Sequence, residues 1–312
     1  MIEVRQLTKS YGDRKAVDNI SFTVKKGEVV GFLGPNGAGK TTTMKIITGF
    51  MAATQGSVSV AGFDVFEDPI EVKRRIGYLP ETPPVYGDMR VEEFLTFVAK
   101  LKGVDSSKIR SQVDMSIQKT DLGSVSKRLI QNLSKGYRQR VGIAQALVSS
   151  PEVLILDEPT VGLDPRQVAE IRDVIKELAG HHTVVLSTHI LPEVQATCQR
   201  IIIINKGIIV AEDTLEGISK RTTQSSKVIV RVTTSSEALL ASIRNIPGVS
   251  RVNKDGSFIF VETPNADAVS QQIASAVISH GAGLLEIRTE SANLEEVFIR
   301  LTSKEEQQGK RV

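Results

Sequence analysis

The chain has 312 residues, enough for about two domains of ordinary size. Its 40% hydrophobic and 24% charged residues are those of a globular protein; a net charge of only +3 and a 4% aromatic content without Trp give no reason to expect nucleic acid as a partner. The single cysteine, Cys198, excludes an internal disulfide framework, and with neither a membrane-length apolar run nor a secretory leader in MIEVRQLTKSYGDRK the expected compartment is the cytosol.

The first part alternates short apolar strands with helical stretches, which predicts a sheet covered by helices. Four runs have the length of strands buried on both faces: 29–33 (VVGFL), 153–156 (VLIL), 183–187 (TVVLS) and 201–204 (IIII). Between the first two, 91–150 reads as mostly helical, punctuated by Gly103 and Gly123. Val91, Phe94, Leu95, Val98 and Leu101 recur there at helical spacing, which predicts a helical subdomain over about 82–150. The polar stretch 221–226 (RTTQSS) reads as a linker that ends a domain at 1–220. Beyond it the order is strand 228–232, helix 237–245, strands 249–252 and 258–261 around a turn at Lys254-Asp255-Gly256, helix 266–279 and strand 284–287. This β-α-β-β-α-β order predicts a ferredoxin-like α+β module over 227–302, with a last helix at 293–301 and a flexible tail at 303–312.

The chemistry is carried by three segments. Gly34-Pro35-Asn36-Gly37-Ala38-Gly39-Lys40-Thr41 fits G-x-x-x-x-G-K-[ST] between a predicted strand and a predicted helix. Such a loop converges backbone N–H groups on phosphate at a helix N-terminus; Lys40 would reach the β- and γ-phosphates and the Thr41 hydroxyl would bind Mg²⁺. Asp157-Glu158 closes the VLIL strand, where the first carboxylate can hold Mg²⁺ and the second can polarise water, although acidic pairs also simply end strands. Ser134 is placed to cap a helix carrying Tyr137, Val141, Ala144 and Val148 on one face, which offers a second helix N-terminus to an anion or is only a capped helix.

In this order the residues resemble the ATP-binding subunits of ABC transporters over residues 1 to about 220, and the resemblance implies a P-loop NTPase fold of the α/β class. Tyr11 sits where that family stacks an aromatic ring on adenine, LSKGY (133–137) where its LSGGQ signature belongs, and Val161-Gly-Leu-Asp164 in its dimer-spanning loop. By the same resemblance Glu158 is the catalytic glutamate and His189 the switch histidine, while the nucleotide is held by residues 34–42, Thr42 included. Ser134 and Gly136 would meet the partner's nucleotide in a composite ATP site, Asp164 of the dimer-spanning loop counts among the nucleotide-binding residues, and Asp157, Thr41 and Glu81 would belong to Mg²⁺. Two departures stand out. Glu81 replaces the expected glutamine after Ile76-Gly-Tyr-Leu-Pro80, and is either protonated, or tightens Mg²⁺ binding, or lies outside the site. The signature carries Lys135 for glycine and Tyr137 for glutamine but keeps Ser134 and Gly136.

One phosphate loop and one signature per chain imply a homodimer or a paired ATPase subunit with two shared sites. The resemblance further implies separate integral membrane permease subunits, a docking surface including Phe94 and Phe97, and a place at the cytoplasmic face of the membrane. The stretch 291–302 (SANLEEVFIRLT), RIGYLPE and LSKGYRQR resemble exporter ATPases with type-two permeases, of the gliding-motility and multidrug-export branches. The alternatives are an ABC ATPase acting on ribosomes or DNA, and a nucleotide-binding regulator without turnover.

Overall fold

The computed structural model describes residues 1–214, 217, 226–290 and 298. The chain divides into two compact units, Met1–Glu212 and Asp213–Val312. Among the described residues no helix is long and apolar enough to cross a membrane.

The first unit is built on two sheets. One is antiparallel, of order β2-β1-β4-β5, from β1 (Ile2–Tyr11), β2 (Arg14–Val24), β4 (Gln55–Val60) and β5 (Phe63–Asp64). The other has six strands in the order β10-β9-β3-β8-β7-β6, with β3 (Val29–Leu33), β6 (Ile76–Leu79), β7 (Val153–Asp157), β8 (Thr183–Thr188), β9 (Arg200–Asn205) and β10 (Ile208–Thr214). Pairings from β6 through β9 are parallel. Every residue of β3, β7 and β8 is buried, as expected for strands covered on both faces. Helix α1 (Lys40–Ile47) packs Met44, Ile46 and Ile47 into a core shared with both sheets.

All four apolar runs of the sequence form strands of the six-stranded sheet, each extended by at most two residues. The antiparallel sheet and β6 carried no such signal. In β1 the alternation of Ile2 and Val4 breaks at Gln6, a non-glycine residue with φ of 47°, and the pairing with β2 shifts register between Val4 and Leu7. A bulge turns side chains to the opposite face and so erases the period of two.

The helical region consists of α3 (Val91–Leu101), α4 (Ile109–Lys119) and α5 (Lys135–Leu147), joined by 3₁₀ turns at Gly123–Val125 and Ile130–Asn132; α2 (Pro69–Arg75) precedes it. Its own core joins Phe94, Leu95, Val98 and Val113 to Val141, Ala144 and Val148 of the segment that α5 begins. Two expectations are corrected here. Phe94 is core, only 2% exposed, while Phe97 is exposed beside Tyr86, their ring centroids 5.9 Å apart. Leu101 ends α3 beyond that core and is 74% exposed.

The second unit has β11 (Ser226–Val232), α8 (Glu237–Arg244), β12 (Arg251–Asp255), β13 (Phe258–Thr263), α9 (Ala266–Ser279) and β14 (Leu284–Glu290). The sheet order is β12-β13-β11-β14, antiparallel throughout, so β13 enters between the two strands that α8 connects. That is the split βαβ arrangement of a ferredoxin-like module. Leu239, Leu240 and Ile243 of α8 and Val269, Ile273 and Val277 of α9 cover Val228, Val230, Ile259 and Val261. The hairpin turn falls at Gly256-Ser257 rather than at 254–256, where Gly256 supplies a φ of 57°. Ser226, read as linker, opens β11; the remaining linker residues, the helix at 293–301 apart from residue 298, and the tail at 303–312 lie outside the described residues.

One close approach fixes the helical region against the sheet. A Cβ on Gly77 of β6 would stand 2.0 Å from the Ala146 carbonyl oxygen of α5, while Gln145 donates to the Tyr78 carbonyl at 2.7 Å. Gly77→Ala should therefore push α5 off the sheet and destabilise the unit by about 1–3 kcal/mol, as overpacking does. Urea denaturation of the variant beside the parent chain checks this.

Candidate functional site

Strand β3 ends on the glycine-rich loop, and α1 starts directly after it. Gly37 and Gly39 have φ of 78° and 107°, and a Cβ on Gly39 would lie 2.4 Å from the Ala16 carbonyl oxygen. Only glycine meets both conditions at residue 39. Lys40, the first residue of α1, is buried, and its Nζ donates to the carbonyls of Gly34 (2.8 Å) and Pro35 (3.2 Å). The same ammonium lies 3.2 Å from Glu158 Oε1.

Asp157 ends β7 and is fully buried; the Ser187 hydroxyl of β8 donates to its Oδ1 at 2.6 Å. Burial pushes its carboxyl above the ordinary range, against the pull of the Ser187 and Thr41 hydroxyls and of Lys40, while the neighbouring Glu158 adds to the rise. Oδ2 makes no full hydrogen bond. Glu158 follows in a left-handed conformation, φ 50°, its N–H donating to the Ser187 carbonyl at 2.8 Å. Its buried carboxylate is shared between Lys40 on Oε1 and His189 on Oε2, where Nδ1 stands at 2.9 Å. A carboxylate only accepts, so the Nδ1–H tautomer of His189 is the donor.

A cavity of about 620 Å³ opens over these groups. Tyr11, Asn36, Gly37, Gly39, Lys40, Thr41, Thr42, Glu81, Glu158 and His189 all line it. Gly34, Pro35 and Ala38 complete the loop outside the cavity wall, and Asp157 lies buried next to Glu158 in the chain. Glu81 therefore faces the cavity. Tyr11 is half exposed, with Lys9 over its ring, and its hydroxyl lies 2.9 Å from Met51 Sδ.

Ser134, Gly136 and Asp164 are not part of this cavity. They line a second cleft of about 430 Å³ with Tyr137, Arg140 and Gln167, and no lining residue is common to both. Each polar member also caps a helix: Ser134 Oγ accepts from the Tyr137 N–H, and Asp164 Oδ1 from the Gln167 N–H. The loop between the two clefts is short, with Val161 lining the first and Asp164 the second.

The donor set suits a hard cation. Thr41, Glu81 and the Asp157 oxygen without a full hydrogen bond could offer oxygen donors of the kind Mg²⁺ takes, with phosphate and water needed to complete its shell. Among the described residues no group of three or more His, Cys, Asp or Glu side chains is placed to hold a metal ion by itself. Sequence reasoning missed Arg14 and Ala16 in the first cavity and read Val161 only as part of the dimer-spanning loop. The Gly12-Asp13 dipeptide, a two-residue hairpin signal, could have brought Arg14 beside Tyr11.

A family profile described as ABC transporter matches residues 17–161. The ABC transporter ATP-binding protein YxlF of Bacillus subtilis is 33% identical over 302 residues, covering 96% of this chain and 99% of the relative. The chain belongs to the ATP-binding proteins of ABC transporters. It is thus an ABC-type ATPase. The linearmycin resistance ATP-binding protein LnrL of the same organism is 31% identical over 307 residues, covering 97% of this chain and 99% of LnrL. Among solved structures, the dimeric bacterial cassette MJ0796 is similar with a TM-score of 0.63 and 26% identity, covering 69% of this chain and 99% of that one. The same cassette is known as a dimer in a post-hydrolysis state with ADP and Pi.

The raised Asp157 pKa has a thermodynamic consequence for this ABC ATPase. The folded chain holds that proton more tightly than the unfolded chain, so the contribution favours folding below the ordinary carboxylate range and is lost as pH rises through the raised value. Above that value the charged carboxylate is less favourable in the folded chain than in the unfolded one. Asp157→Asn should raise the thermal midpoint at pH 7 in chelator and without nucleotide, with a smaller gain at pH 4; paired thermal melts measure both.

Proposed function

We infer that the chain is the ATP-hydrolysing subunit of an export complex, coupling closure of an ATPase pair to substrate movement through separate membrane permeases. The observation that supports this reading most directly is the Glu158 carboxylate, shared between Lys40 and His189 on the wall of a cavity large enough for a nucleotide. Lys40 and the loop 34–42 would hold the phosphates and Tyr11 the adenine. Thr41, Asp157 and Glu81 would hold Mg²⁺, which when bound neutralises phosphate charge and polarises the γ-phosphoryl group. Glu158 accepts a proton from the attacking water as the bond between the γ-phosphorus and the bridging oxygen breaks, giving ADP and phosphate. His189 keeps that carboxylate oriented.

Lys40 is engaged by two loop carbonyls and Glu158, so a phosphate group must compete for its ammonium. Winning it frees Oε1 of Glu158 for water. In this reading the phosphates both bind and arm the base.

Ser134 and Gly136 occupy a cleft apart from the phosphate loop, which supports a two-fold pair in which each chain's signature meets its partner's nucleotide. Exposed Tyr86 and Phe97 on the helical region offer an apolar contact to permease subunits at the cytoplasmic face of a membrane. Full-length similarity to a protein named for linearmycin resistance supports an export role; the type-two permease class and its gliding-motility and multidrug-export branches rest on the resemblance of 291–302, RIGYLPE and LSKGYRQR.

Glu158→Gln should lower the turnover number by a factor of about 10²–10⁴, the usual contribution of a general base, while ATP still binds. Steady-state hydrolysis and equilibrium binding separate the two effects. Lys40→Ala should weaken ATP binding itself, and unchanged affinity would remove the phosphate-site assignment. Tagged Glu158→Gln protein, recovered from detergent-solubilised host membranes, should carry a polytopic membrane protein in near-stoichiometric amount. Recovery of ribosomal or DNA-repair proteins without a membrane partner would replace the exporter reading.

A further inference from the structure

Below the Glu158–His189 pair lies a second carboxylate with no cation beside it among the described residues. Glu193 sits in the first turn of α7 (Leu191–Thr197) and is only 1% exposed. The Thr160 hydroxyl donates to its Oε1, and the Thr188 hydroxyl to its Oε2 at 2.8 Å. Both threonines are buried as well. A carboxylate out of water needs such donors, so the three side chains form one satisfied unit that holds the two oxygens in fixed directions.

The placement of the two threonines gives the unit its meaning. Thr160 is two residues after Glu158, and Thr188 is one residue before His189. Thr188 Oγ1 also accepts from the Ile190 N–H at 3.1 Å, so the backbone on both sides of His189 is tied to it. Glu158 itself has a left-handed φ of 50°, a conformation that persists only where its surroundings enforce it. The loops after β7 and β8 are thus joined twice: on the cavity wall by the 2.9 Å contact of Glu158 with His189, and in the interior by Glu193.

We propose that Glu193 is a positioning residue for hydrolysis, setting the register between Glu158 and His189 through Thr160 and Thr188. The role rests on the site assignment above, and it acts on turnover rather than on nucleotide affinity because neither threonine nor Glu193 lines the nucleotide cavity.

The test uses the full chain, with steady-state Mg-ATP hydrolysis and separate equilibrium binding of a fluorescent ATP analogue. Glu193→Ala and Thr160→Val should each lower kcat about tenfold or more with analogue affinity kept within about threefold, the pattern of an interaction needed only in the transition state. Glu193→Gln keeps one acceptor and can donate its amide to the other hydroxyl, so it should recover most of kcat. Combining Thr160→Val with Glu193→Ala should cost no more than Glu193→Ala alone, because both break the same unit. Thr160→Val exchanges a hydroxyl for a methyl at nearly constant volume, so it carries the test if Glu193→Ala does not fold. A kcat within about twofold of the parent in folded Thr160→Val, or a fall in kcat matched by an equal fall in affinity, overturns the proposal. Glu158→Gln is measured alongside. Turnover surviving there overturns the site assignment and Glu193's role with it; turnover lost there but untouched in the Thr160 and Glu193 variants overturns only the latter.

Discussion

The site depends on one requirement: a carboxylate taken out of water must be partnered. Glu158 is buried, and such a charge is tolerated only with cationic or hydrogen-bonding groups at close range. Its partners come from elsewhere in the chain, Lys40 from the start of α1 and His189 from the end of β8. The strand order β3-β8-β7 is what brings them within reach, since β8 lies between the strand that launches the glycine-rich loop and the strand that Glu158 follows. Parallel strands leave the carboxyl ends of all three on one edge, where such folds place their ligands.

The same economy appears at the edges of the site. Gly39 is needed twice, for its φ and for the nearness of the Ala16 carbonyl, so hairpin and phosphate loop are fixed against each other. Ser134 and Asp164 are helix caps as well as cleft residues, so the surface offered by the second cleft is held in shape by local hydrogen bonds. Arg140 pairs with Asp121 and with Glu170 of α6 (Pro165–Leu178), which ties the helical region to that helix under the cleft.

Legibility in the sequence followed the physics of each element. Strands buried on both faces announce themselves as unbroken apolar runs, and 29–33, 153–156, 183–187 and 201–204 were readable for that reason. The bulged β1 was not, because Gln6 and the register shift beyond Val4 break its alternation. In the second unit, helix 266–279 matches its predicted bounds, whereas strand 249–252 began two residues early because Val249 belongs to the turn before β12. Motif residues in continuous loops, such as 34–42, could be read directly. That Ser134, Gly136 and Asp164 gather in a separate cleft could not, since spacing along the chain carries no information on which pocket a residue lines. Phe94 and Phe97, three apart on one helix, show the limit of periodicity: one is core and the other exposed.

The four residues from Val161 to Asp164 are three Cα–Cα steps, roughly 10 Å at full extension, yet they border both clefts. It is too short to absorb a movement at one end without passing it to the other. In a two-fold pair, each chain would use this loop to join its own phosphate cavity to the face it presents to its partner's nucleotide. The two nucleotides would then share mechanical elements, so their occupancies would be thermodynamically linked and the linkage reciprocal. On these terms the steepness of the response to nucleotide concentration would be set by a four-residue loop that holds neither Glu158 nor His189.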